Sequence, residues 1–231
     1  MKLIRIILLL VFLVLLLPVQ SVVQAQTATP PSVEAVLNSM TPEERVGQLF
    51  LVTFNGTDTS EVSQVYDLIT QNHVGGVVLL AQNDNFVSAP DTVAQTQALI
   101  NSIQRVEWET SINPVIDVTT GLEMNSVYVP LFMGVAQEGN GYPTDQILSG
   151  LTALPSEMAI GATWNTEFAA RVGEVRGRGL SALGFNIYLG PSLDVLEAPS
   201  VSGGDLGTRV FGGDPFWVGE MGRAYVTGLH T

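Results

Sequence analysis

The sequence predicts an α/β fold in which a parallel sheet is covered by helices. Short unbroken apolar runs recur along the chain, and segments with apolar residues at helical spacing alternate with them. Strands buried on both faces read as continuous apolar runs, whereas half-exposed strands alternate polar and apolar residues. Four strand–helix units of this kind fit half of a barrel or most of an open doubly wound sheet, and the pattern leaves both open. In either architecture ligands bind beyond the carboxyl ends of the strands.

In chain order, Ser32 caps a short helix carrying Val33, Val36, Leu37 and Met40 at helical spacing. Thr41-Pro42-Glu43-Glu44 is a capping box with proline in the first turn, and Val46 and Leu49 are expected on that helix's inner face. Leu49 to Phe54 reads as a first strand. Ser60 to Asn72 reads as a helix with Val62, Val65 and Ile69 on one face, and is ended by Gly75-Gly76. Val77 to Leu80 is a second strand, followed by a helix from Asp91 to Arg105 with Val93, Ile100 and Ile103 inward. Residues 106–129 fit no unit and read as an insertion with a strand-like Pro114-Val115-Ile116. Leu131 to Ala136 is a third strand. Asn165 caps a helix carrying Phe168, Val172 and Val175, Phe185 to Leu189 is a fourth strand, and Asp214-Pro215 opens the last helix.

The first 25 residues have the form of a secretory leader. Lys2 and Arg5 precede an apolar run from Ile6 to Leu17, then Pro18 and the small-residue pattern Val23-Gln24-Ala25. The run is about 12 residues, against the ~20 a spanning helix needs, so cleavage rather than anchoring is expected. Residues 26–32 read as a linker and 33–231 as the folded part. The expected location is therefore extracytoplasmic, secreted or periplasmic, with no stable membrane anchor after cleavage.

The chain has 22 acidic and 9 basic residues, and loss of Lys2 and Arg5 leaves 22 against 7. Lys2 is the sole lysine. So acidic a surface disfavours nucleic acid, and the fitting partner is a small neutral ligand such as a saccharide. With no cysteine, thiolate chemistry and Cys–zinc sites are excluded. His73 and His230 are too few and too far apart for a metal cluster, so neither metal nor cofactor is expected. Asn55-Gly56-Thr57 matches the N-glycosylation pattern.

Three residues are candidates for ligand binding. Glu138 follows the third strand and precedes Gly139 and Gly141, where it can approach a ligand or pin the loop by accepting backbone N–H bonds. Asp194 sits among apolar neighbours after the fourth strand and is expected to be partly enclosed with a partner. Arg209 lies among glycines before the last helix, where its fork of donors suits vicinal hydroxyls or a carboxylate. An internal ion pair to Asp194 or Asp205 is the other reading of Arg209. Trp164 reads as a core residue more readily than as a sugar platform. These residues alone name no reaction.

The order of seven segments resembles glycoside hydrolase family 3. They are Met40-Thr-Pro-Glu-Glu-Arg-Val-Gly-Gln-Leu-Phe50, Val74-Gly-Gly-Val-Val-Leu-Leu80, Gly134-Val-Ala-Gln-Glu-Gly139, Leu154-Pro-Ser-Glu-Met-Ala-Ile-Gly-Ala-Thr-Trp-Asn165, Ala182-Leu-Gly-Phe-Asn186, Gly190-Pro-Ser-Leu-Asp-Val195 and Gly207-Thr-Arg-Val-Phe-Gly212. The resemblance implies the amino-terminal portion of a (β/α)8 TIM barrel, cut after about four strand–helix units, since a complete barrel takes about 250 residues. It implies retaining hydrolysis of terminal β-linked sugars, closest in flavour to β-N-acetylhexosaminidases, with β-glucosidases second. A carboxylate nucleophile and a general acid carry that chemistry. The resemblance places both beyond Thr231, so no catalytic residue is assigned and the chain alone is expected to be inactive.

The chain departs from the family at Ala136, where the family has a sugar-binding aspartate. Asn140 and Gly141 also replace a glycine and an arginine, and Asp145 is a candidate substitute for the missing aspartate. The departure keeps a second reading open, a carbohydrate-binding relic without catalysis. A solute-binding protein of the periplasmic kind is a third, motivated by export, acidity and the α/β alternation.

Overall fold

The computed structural model describes residues 31–116, 118–124, 126–197 and 206–231. The expected leader, residues 26–30 of the expected linker, and Asp205 lie outside them. In chain order the elements are α1 (Val33–Ser39), α2 (Pro42–Gly47), β1 (Leu51–Val52), α3 (Gln64–Thr70), β2 (Gly76–Val78), α4 (Thr92–Ile112), β3 (Val115–Ile116), β4 (Glu123–Met124), β5 (Phe132–Val135), α5 (Glu157–Gly161), α6 (Thr166–Leu183), β6 (Ile187–Tyr188) and α7 (Pro215–Leu229).

Strands β1, β2, β5 and β6 form one parallel sheet in that spatial order, and β3 and β4 form a separate antiparallel hairpin. The order never reverses, so the sheet has no switch point. This favours successive staves of a barrel over a doubly wound sheet. One face packs Val77, Leu79, Leu131, Met133 and Val135 against Val65 and Ile69 of α3, Ile100 and Ile103 of α4, and Leu180 and Leu183 of α6. On the other face a Cβ added to Gly76 would lie 2.5 Å from Phe132 Cβ and 2.7 Å from Leu51 Cδ2. Those two side chains are 50% and 46% exposed.

The helices begin where capping chemistry permits. Thr41 and Glu44 form the expected capping box, Glu44 N donating to Thr41 Oγ1 at 3.2 Å and Thr41 N to Glu44 Oε2 at 2.8 Å. Its other oxygen accepts Val127 N at 2.8 Å, so one buried carboxylate serves two segments. Asn165 caps α6 and Asp214 caps α7, each accepting from a first-turn amide.

Several expectations are corrected. Val46 and Leu49 are exposed, because α2 ends at Gly47 before its apolar spacing can face inward. Val62 is 90% exposed, since Ser63 rather than Ser60 caps α3 and shortens the helix. Helix α4 runs on to Ile112, so residues 106–112 extend it and the insertion begins only at Asn113. On α6 the buried residues are Ala169, Gly173, Arg176, Leu180 and Leu183, while Phe168 and Val175 are exposed. The inner face is rotated because α6 meets α7 through small residues. A Cβ on Gly228 would come within 1.9 Å of Ala170 O, and one on Gly173 within 2.1 Å of Tyr225 O. An apolar-periodicity reading passes over glycine.

This seam makes a prediction. Gly228→Ala should destabilise the chain by about 2 kcal/mol, because backbone cannot yield to the new methyl. Gly219→Ala, in the same helix with nothing within 4 Å of the added Cβ, should stabilise it by about 0.5–1 kcal/mol through helix propensity. Urea unfolding of both variants checks this, and equal shifts would remove the seam as the cause.

Candidate functional site

Beyond the carboxyl end of β5 the chain must turn sharply, and Asp145 holds that turn. Its Oδ1 accepts Glu138 N at 2.6 Å and Gly139 N at 2.8 Å, and its Oδ2 accepts Gly141 N at 2.9 Å. Gly139 and Gly141 have φ of +90° and +77°, a region glycine enters without strain. Successive amides thus wrap a carboxylate. Asp145 is buried and committed to the loop, so it does not replace the family aspartate at Ala136. The buried Gln137 fixes the far side, its Oε1 accepting from Gln146 N and Ile147 N and its Nε2 donating to Ile147 O.

Glu138 projects from this loop and is 2% exposed. Its Oε1 accepts Ser192 N at 2.9 Å, and its Oε2 pairs with Arg209 Nε. Both oxygens are engaged, one by a backbone N–H of the loop after β6 and one by the guanidinium, so Glu138 ties those two segments to the glycine loop. Arg209 pairs with Glu138, not with Asp194. Its side chain is 30% exposed, and its terminal nitrogens have no hydrogen-bond partner among the described residues. Asp194 is exposed rather than partly enclosed, and its carboxylate accepts Ser192 Oγ at 3.0 Å. The segment is held on either side of Asp194, by Ser192 N on Glu138 and Leu196 N on Gly212 O, while Asp194 itself faces solvent. Ser192 joins the three candidates, through its N–H to Glu138 and its hydroxyl to Asp194.

Thr208 Oγ1 bonds Asn140 Oδ1, and Met158 N donates to Thr208 O at 3.1 Å, so the arginine loop is tied to the glycine loop and to α5. Beneath them lie two buried charges that sequence reading missed. Glu157 is fully buried, with Asn140 Nδ2 3.4 Å from its Oε2 and no partner for its Oε1. Arg176 is 3% exposed, with Nε and Nη2 unpartnered. It lines a cavity of about 210 Å³ shared with Gln137, Gly139 and Asp145. Arg176 was legible in principle, at the Gly173–Leu180 spacing of the buried face. Tyr188 Oη donates to Gln137 O at 3.1 Å, and burial pushes its phenol up, so it stays protonated.

Trp164 corrects the core reading. It is 66% exposed, at φ +52°, with its ring stacked on Trp217 at 5.4 Å between centroids.

Burial, opposed by the backbone and reinforced by Glu138, raises Glu157 from its ordinary value of 4.5 to about 7. With the folded value above the unfolded one, the protonated form is the one folding favours. Stability is therefore full below about pH 4.5 and falls as pH rises toward 7. The penalty above pH 7 is at most about 3 kcal/mol. Glu157→Gln should accordingly stabilise the chain at pH 8 by about 1–3 kcal/mol and change it little at pH 4.5. Urea midpoints at the two pH values measure this, and a pH-independent difference would exclude titration of Glu157 as its source.

Comparison with known proteins identifies the family and its fold. The model of the glycosyl hydrolase family 3 N-terminal domain matches residues 41–231. A β-N-acetylglucosaminidase/β-glucosidase of Cellulomonas fimi is 28% identical over 201 residues, covering 85% of this chain and 28% of that protein. β-Hexosaminidase A of Pseudoalteromonas piscicida is 26% identical over 166 residues, covering 71% and 24%. Among solved structures, a family 3 β-N-acetylglucosaminidase from Paenibacillus superposes with a TM-score of 0.66 at 30% identity, covering 83% of this chain and 31% of that one. A β-N-acetylhexosaminidase from Beutenbergia cavernae gives 0.62 at 26%, covering 83% and 51%. The chain thus spans from about a quarter to about half of the length of these relatives. The open, monotonic sheet is the corresponding part of the barrel domain, and membership sets the solute-binding reading aside. The chain belongs to glycosyl hydrolase family 3, through the N-terminal domain of that family.

Proposed function

We propose that this chain forms the sugar-recognition half of a retaining exo-glycosidase acting on terminal β-linked sugars, with β-N-acetylhexosaminides as the preferred class. The observation that carries the reading is the Glu138–Arg209 pair at the carboxyl end of β5. Glu138 neutralises and orients the guanidinium from below, and the terminal nitrogens are left for vicinal hydroxyls of a terminal sugar. Asp194, exposed on the neighbouring loop, is an acceptor for a further hydroxyl. The relatives' names support the substrate class: two are hexosaminidase types, and one of these also carries the glucosidase name.

Nucleophile and general acid are assigned to no residue of this chain, so by itself it binds sugar without turning it over. Release of nitrophenol from an aryl N-acetyl-β-glucosaminide by the purified chain would overturn that. In a protein with the complete family domain, Arg209→Ala should lower kcat/KM for the same substrate by about 30- to 100-fold, the loss of charged hydrogen bonds. A change below threefold would remove Arg209 from the site.

Ala136 supports the second reading, a carbohydrate-binding protein without catalysis. Ala136 offers no side-chain acceptor, and its carbonyl is used by Gln146 N. Under the glycosidase reading, Ala136→Asp should tighten binding of methyl N-acetyl-β-glucosaminide about tenfold. Unchanged affinity in calorimetry would show that this loop does not meet the sugar.

A further inference from the structure

The indole pair of the exposed Trp164 and the half-buried Trp217 lies outside the Glu138–Arg209 cluster, and nothing in the site just described uses it. Trp164 is 66% exposed, although one face of its ring is stacked on Trp217. Its accessible area is therefore the outer face and edge of the indole. The neighbourhood holds the ring in place. Thr163 Oγ1 donates to Ile160 O at 2.6 Å and accepts Asn165 N at 3.2 Å, while Asn165 caps α6. On the other side, Asp214 caps α7 by accepting Trp217 N at 2.8 Å. Trp164 sits at φ +52°, a conformation that a bulky residue seldom adopts and that recurs at functional positions. Packing on Trp217 accounts for one face of this indole and leaves the other in water.

The pair is also placed with respect to the sugar site. Helix α5 starts at Glu157, whose Oε2 faces Asn140 of the glycine loop, and Trp164 follows just after it. Trp164 stands two residues beyond Ala162, the C-cap of that helix, and its N–H bonds Gly161 O at 3.1 Å. The arginine loop runs alongside, since Met158 N bonds Thr208 O and a Cβ on Gly161 would overlap Phe211 O. Helix α5 thus touches both the glycine loop and the arginine loop at one end and leads to Trp164 at the other.

The geometry points to Trp164, backed by Trp217, as a distal subsite that stacks on a pyranose ring of an oligosaccharide whose terminal sugar is at Arg209. This rests on the proposed sugar-recognition reading. The axial C–H groups of a β-linked pyranose carry partial positive charge and suit the negative face of the indole. The exposed carboxylates of Glu167 and Asp214 flank the pair, which selects neutral sugars over uronates or sulfated glycans.

The test uses the full chain labelled with 5-fluorotryptophan, so that Trp108, Trp164 and Trp217 each give a resonance. The ligands are triacetylchitotriose and methyl N-acetyl-β-glucosaminide. The trisaccharide should shift the Trp164 signal and leave Trp108, half-exposed on α4, unmoved. Trp164→Ala should weaken trisaccharide binding about five- to tenfold. It should leave the monosaccharide within twofold, and Trp164→Tyr should restore most of the loss. Unfolding curves of both variants register any loss of fold. An unchanged trisaccharide affinity in Trp164→Ala overturns the subsite, as does an absence of trisaccharide binding to the unsubstituted chain. A Trp164 shift that follows protein concentration instead of sugar overturns it in favour of self-association. Arg209→Ala separates the two readings. If monosaccharide binding depends on Arg209 and the trisaccharide binds no better, the subsite fails and the recognition site stands. If the trisaccharide still needs Trp164 while Arg209→Ala costs nothing, the subsite stands and the recognition site fails.

Discussion

Every buried backbone N–H and C=O must find a partner, and that requirement governs this chain because its parallel strands are only two to four residues long. So short a ladder leaves most of the adjoining loop backbone unsatisfied. Side-chain amides take over. Asn85 accepts Leu80 N and donates to Phe54 O and Gly56 O, tying together the ends of the first two strands. Gln104 both donates to and accepts from Leu131, and Asn186 accepts Met133 N and donates to Leu131 O. Gln146 carries Ala81 N. Asp145, Gln137 and Glu138 do the same at the candidate site. The candidate site is therefore mounted on a scaffold in which polar side chains stand in for missing ladder.

Much of the fold was legible, and the reasons are local. The capping box at Thr41–Glu44, the caps Asn165 and Asp214, and the apolar runs around Val77 and Met133 each express one short-range rule. What periodicity misjudged was the rotation of α6 and the ends of α3 and α4. Those depend on glycines at a helix seam and on which of two serines caps, neither of which an apolar count registers.

The candidate site was legible by residue type but not by role. Glu138 and Arg209 were singled out separately, and their pairing was not foreseen because 71 positions separate them. Asp145 had a readable signal, a carboxylate a few residues after Gly139-Asn140-Gly141, but its work is to anchor a turn. Glu157 carried no signal by itself, and Arg176 only its place at the Gly173–Leu180 spacing, which an apolar count passes over. A charged residue within an apolar pattern reads as solvent-facing until the fold buries it, and only then do their desolvation and mutual placement matter.

The uncovered face of the sheet has its own geometry. Across one level, Leu51 and Phe132 stand on either side of Gly76, and across the next, Val78 stands beside Gly134. Both glycines are buried, because those neighbours lean over them: a Cβ on Gly76 would lie 2.5 Å from Phe132 Cβ and 2.7 Å from Leu51 Cδ2, and one on Gly134 3.0 Å from Val78 Cγ2. Side chains of one strand thus roof the bare backbone of the next. Strand is clasped to strand by this overlap as well as by the ladder, and neither glycine can gain a side chain without prising its neighbour aside.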